Sequence, residues 1–126
     1  MNRRDKQILE KIASEIDYLQ SLVNDIDETA FLSDETAERA AAMTAINIGE
    51  LAKRLSDQFY EEYPQSELRM AAKTRDVYAH GYFTLSFATV YKTAIEDYPR
   101  VRIWIGEALH QSARQKGESH DNAEMA

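Results

Sequence analysis

From about Asp5 to Asp25 the apolar residues fall at steps of three and four. Leu9, Ile12, Ile16, Leu19 and Val23, widened by Ile8, Ala13 and Leu22, draw the stripe of an amphipathic helix. Asn24, Asp25, Asp27 and Glu28 end it. Phe31-Leu32 then precedes Ser33-Asp34-Glu35, where Ser33 is a good N-cap and the two acids suit the positive end of a helix dipole. The period resumes from about Asp34 to Tyr60 through Ala37, Ala41, Ala45, Ile48, Ala52 and Leu55, and Tyr63-Pro64 closes that segment. A third helix fits Ser66 to about Tyr78, burying Leu68, Ala71, Ala72 and Val77, with Gly81 as a stop able to take positive φ. A fourth fits Thr84 to Glu96, with Phe87, Val90, Tyr91, Ala94 and Ile95 facing inward. Pro99 suits the first turn of a fifth, which reads Val101, Ile103, Trp104, Ile105, Ala108 and Leu109.

No alternating strand and no internal repeat interrupts these periods. The fold class is therefore all-α: an antiparallel four-helix bundle with an additional C-terminal helix, over residues 1–112. After Gln111 the composition turns polar, and 113–126 is expected to be a disordered tail. A chain of 126 residues suits one domain and one core. Its first residues lead into no apolar run, and no stretch approaches the roughly 20 residues of a membrane span. A cytoplasmic protein without a membrane partner is the expectation.

Charge alters this picture only locally. The chain carries a formal −7, which argues against DNA as a partner. Yet residues 1–63 hold 7 Lys/Arg against 14 Asp/Glu, whereas 64–116 hold 8 against 5. A local basic surface for RNA and an accidental asymmetry are about equally good readings of that difference. Cys is absent, which removes disulfides, thiolate metal sites and Cys nucleophiles. Three scattered His residues argue against zinc, so neither metal nor cofactor is expected. His110 suits a helix end and His120 falls in the polar tail. Phe59, Tyr60 and Tyr63 could stack on bases, but aromatics at helical spacing belong more often to the core.

The densest chemistry is Arg75-Asp76-Val77-Tyr78-Ala79-His80-Gly81-Tyr82. It joins a permanent cation, a carboxylate, a group that titrates near neutrality and a phenol. Five residues apart on a helix, Arg75 and His80 point about 140° away from one another. They meet on one phosphate only if the helix ends between them or a second copy supplies the missing half. Asp76 and His80, four apart, could pair, while Arg75 and Tyr82 would share a face if the helix continued. Composition alone favours a plainer reading, a helix end whose His favours the dipole. Gly49 inside the second helix suggests a close helix crossing. Glu50 beside it either reaches Arg75 or sits at the bundle edge.

Arg75-x4-His80-x-Tyr82 resembles the Arg-x4–6-His motif of HEPN-domain proteins, in particular the HepT-like RNase toxins. Ala45-Ile46-Asn47-Ile48-Gly49-Glu50-Leu51-Ala52-Lys53 is similar to that family's second-helix segment, and Arg75 to Phe83 to its "RN-x3-HGYF" segment. Tyr98-Pro99 falls where the last family helix begins, so the resemblance covers about residues 5–110. It departs at Asp76, where the family most often has Asn. A carboxylate there would repel a phosphate, or hold His80 as an imidazolium.

The resemblance implies a metal-independent endoribonuclease acting as a toxin. Arg75 and His80 would be catalytic, with Asp76 and Tyr82 in support. It also implies a homodimer with the active site at the interface. A nucleotidyltransferase antitoxin would neutralise the protein by transferring AMP to Tyr82. The competing expectations are a non-catalytic module that docks a nucleotidyltransferase or nucleotide, and a structural helical dimer without ligand.

Overall fold

The computed structural model describes residues 1–81 and 85–125, with side chains as far as Gln115. Its described residues form seven helices and no strand, so the chain is all-α. They are α1 (Arg3–Val23), α2 (Glu28–Leu32), α3 (Glu35–Lys53), α4 (Asp57–Glu62), α5 (Leu68–His80), α6 (Phe87–Glu96) and α7 (Tyr98–Met125).

α1 is the hub. Leu9, Ile12, Ile16, Leu19 and Val23 are fully buried, and the helix packs against α3, α6 and α7. α3 supplies a stripe of small residues, Ala37, Ala41, Ala45 and Ala52, with Ile48 between them. Small side chains let helix axes approach closely, and the most extensive helix contact is α3 on α5.

The cap residues depart from the sequence pattern in an instructive way. Ser33 ends α2, and it is Asp34 whose carboxylate accepts from Ala37 N at 3.0 Å to open α3. Asp27 does the same for the short α2, which the acidic run had concealed.

The long helix expected over 34–60 is two helices. Ser56 breaks it: its Oγ accepts from Phe59 N at 3.0 Å and donates to Asp5 Oδ2 at 2.6 Å. Asp5 Oδ1 also accepts from Ser56 N at 3.0 Å. Asp5 is only 1% exposed, so this buried carboxylate is satisfied by a segment 51 residues away.

Around α4, Phe59, Tyr60, Tyr63 and Trp104 meet in tilted and edge-to-face pairs with ring centroids 5.1–6.2 Å apart. Arg69 covers Tyr60 at 4.3 Å. The core reading of these aromatics therefore holds. Glu67, at the start of α5, has φ 63° and grips Arg100 with both carboxylate oxygens, at 2.8 and 2.9 Å.

On α5 the buried residues are Leu68, Ala71 and Tyr78; Val77, expected inside, is 66% exposed. On the last helices Ile95 and Ile103 likewise face outward, while Val90, Ala94, Val101, Ile105 and Ala108 are buried. Pro99 lies in the first turn of α7 as expected. That helix continues through the polar residues after 112, with Ala108 the last buried residue among those described. The side chain of His120 falls outside the described residues.

Candidate active site

The site begins with a glycine. A Cβ on Gly49 would stand 2.1 Å from Arg75 Cβ and 2.6 Å from Ala71 O. Only a residue without a side chain lets α3 lie this close to α5. The crossing expected at Gly49 is therefore real, and it presses the stem of Arg75 against the backbone of α3. The Arg75 side chain is 28% exposed.

The next residue, Glu50, also reaches Arg75: Oε2 lies 3.0 Å from Nε. The N–H is not aimed along that line, because Arg75 Nε is a buried nitrogen without a hydrogen bond. The contact is thus an ion pair rather than an aligned hydrogen bond. Of the two readings left open for Glu50, the structure favours the reach to Arg75.

Asp76 does not pair with His80. Its Oδ1 accepts from Lys53 Nζ at 2.5 Å and from Arg75 Nη1 at 3.1 Å. The Lys53 hydrogen bond and then the Arg75 hydrogen bond hold the Asp76 carboxyl below the usual carboxylate range, so it stays ionised at neutral pH. Glu50, Arg75, Asp76 and Lys53 form one line of alternating charge across the α3–α5 seam.

Lys53 is the member that sequence reasoning passed over. It lies on the same exposed edge of α3 as Glu50, three residues on, and that spacing was the available signal.

His80 is elsewhere. α5 continues through His80 and ends at Gly81, whose φ of −114° is not left-handed. The helix therefore does not end between Arg75 and His80, and the two point about 140° apart. His80 is exposed and its side chain, among the described residues, makes no hydrogen bond or ion pair. It shares a face with Val77, one turn earlier, which is 66% exposed. Tyr82 lies outside the described residues.

Next to the seam, an open groove of about 800 Å³ runs between α1 and α3, with Glu50 and Arg54 on its α3 wall. No helix among the described residues is long and apolar enough to cross a membrane.

A glycine-seated Arg and a terminal His on one helix of an all-α domain agree with the HEPN-like class that the sequence resembles. Comparison with known proteins narrows this. The family described as "Ribonuclease HepT-like" matches residues 12–108, and the chain belongs to that family. It is 30% identical over 102 residues to "Probable ribonuclease HepT" of Thermococcus cleftensis, covering 81% of this chain and 93% of that protein. It is 29% identical over 103 residues to "Putative RNase MJ0125" of Methanocaldococcus jannaschii, covering 81% of this chain and 89% of that one. No solved structure matches the chain at a significant level.

Proposed function

We propose that this protein is an endoribonuclease of the toxin type, cleaving RNA in the cytoplasm without a metal ion. The observation that carries the reading is the Gly49 crossing, which seats Arg75 at the surface of a HepT-like chain. Arg75 stabilises charge on the scissile phosphate. The RNA's own 2′-oxygen bonds to phosphorus, the bond to the 5′-oxygen breaks, and His80 carries a proton in the exchange. The products are a 2′,3′-cyclic phosphate and a free 5′-hydroxyl.

The divergence of Arg75 and His80 supports a homodimer in which one copy lends Arg75 and the other His80. The exposed Val77, one turn before His80, adds an apolar side chain to the face such an assembly would cover. On this reading a nucleotidyltransferase antitoxin silences the toxin by transferring AMP from ATP to the Tyr82 phenol, with pyrophosphate leaving, which adds a phosphate's negative charge to the Arg75-x4-His80-x-Tyr82 motif. The contact of Asp76 with Arg75 at 3.1 Å favours one alternative, a non-catalytic module that docks a nucleotidyltransferase or nucleotide.

The test is RNA cleavage in EDTA by unmodified wild type, Arg75→Ala and His80→Ala. Cyclic-phosphate ends from wild type alone are expected. Mixing the two inactive variants restores cleavage if the site is shared, because one site of the mixed dimer then keeps both residues. No cleavage by any of the three selects the docking module.

A further inference from the structure

One oxygen atom, Asp76 Oδ1, is held by two cations at once, Lys53 Nζ at 2.5 Å and Arg75 Nη1 at 3.1 Å. The two nitrogens therefore lie no further apart than the 5.6 Å that those distances allow together. Glu50 occupies the Nε side of the guanidinium and keeps its Nη side turned towards Asp76 and Lys53. The side chains of Lys53 and Asp76 are 38% and 45% exposed, so solvent, and an anion, can reach them.

A carboxylate and a phosphodiester each carry one negative charge on oxygens that accept hydrogen bonds, so one can replace the other between the same donors. We propose that Lys53 and Arg75 form a two-cation seat for one RNA phosphate, and that Asp76 occupies the seat until the phosphate displaces it. The inference rests on the ribonuclease reading for its ligand. It gives Lys53 the role of a phosphate-binding residue and Asp76 that of an internal competitor.

A 2′-O-methyl oligonucleotide tests the seat apart from catalysis, because it lacks the attacking hydroxyl. Its binding is followed by fluorescence anisotropy over a range of salt, with thermal melts of each variant as a folding control. Lys53→Gln is expected to weaken binding about tenfold, the loss of one charge-assisted contact. It should also make the salt slope shallower by about 0.7, one single-strand phosphate contact. Lys53→Arg restores both, and Asp76→Asn tightens binding.

Wild-type affinity in Lys53→Gln would overturn the proposal by leaving Lys53 only the task of neutralising Asp76. Weaker binding in Asp76→Asn would also overturn it, by making the carboxylate a support for Arg75. Failure of wild type to bind would do the same. If the expected binding pattern appears and RNA is not cut, the seat stands and the nuclease reading falls. If RNA is cut with Lys53 indifferent, the reverse holds.

Discussion

Replacing Gly49 by Ala sets two effects against each other, and the geometry says which prevails. In an isolated helix the change would stabilise by about 1 kcal/mol. Here the new methyl group would stand 2.1 Å from Arg75 Cβ and 2.6 Å from Ala71 O. Carbon atoms in contact sit about 3.5–4.0 Å apart, so α3 and α5 must part by more than about 1 Å. Neither obstacle can rotate away, since one is a backbone oxygen and the other the first carbon of a side chain. Overpacking of this kind costs about 1–3 kcal/mol, and the parting also loosens the most extensive helix contact of the fold. We expect a net loss of about 1 kcal/mol, which at this chain length lowers Tm by about 3–5 °C. Urea melts followed by circular dichroism, at fixed protein concentration, measure it. Cleavage should fall further than stability at a temperature where the variant is folded, because Arg75 moves with α5. A Gly49→Ala protein as stable as wild type would refute the reasoning, for the two backbones would then not touch at residue 49.

Asp5→Ala strands both donors of Ser56 at the start of α4, and a loss of about 2–3 kcal/mol is expected in the same melts; a change below 0.5 kcal/mol, roughly that of an ordinary surface substitution, would count against a structural role. Glu67→Ala keeps the left-handed backbone and loses the grip on Arg100, costing about 1 kcal/mol, whereas Glu67→Gly relieves the backbone and comes out near neutral; equal effects of the two would show that φ 63° carries no strain. Burial, with smaller contributions from Tyr78 and Asp97, holds the Tyr98 phenol well above its ordinary 10.0. Its folded pKa is raised, so its stabilisation is complete below pH 10 and is lost as pH climbs from there towards the folded value, at up to about 1.4 kcal/mol per pH unit. Tyr98→Phe should flatten the alkaline limb of a stability–pH curve, and an unchanged limb would assign that loss to other groups.

Legibility in the sequence followed the range of the interactions. The stripe of α1 was plain because all five of its central apolar residues face one packed surface, and a local period encodes that. The break at Ser56 was not plain. It depends on a carboxylate 51 residues earlier, and the apolar period runs across it unbroken. Val77 was misplaced because α5 is short, with too few apolar residues for their period to define the edge of the buried stripe. Gly49 announced the crossing, since a glycine inside an otherwise favourable helix needs a reason. The Glu50–Lys53 spacing put Lys53 on the right edge of α3, but nothing around Asp76 announced that it answers to Lys53, 23 residues away, rather than to His80, four away. Helical spacing permits the second pairing, and only the packing of α3 on α5 makes the first.

The bond between Asp5 and Ser56 also makes the short α4 depend on α1. α4 spans only Asp57–Glu62, far too short to hold together alone in water. The hydroxyl that caps it is oriented by a carboxylate from the far end of the sequence. α4 is thus a conditional helix, held by its contact with α1, and the aromatic cluster built on Phe59 and Tyr60 shares that dependence. Through one buried carboxylate, α1 supports a helix whose cap lies 51 residues further along the chain.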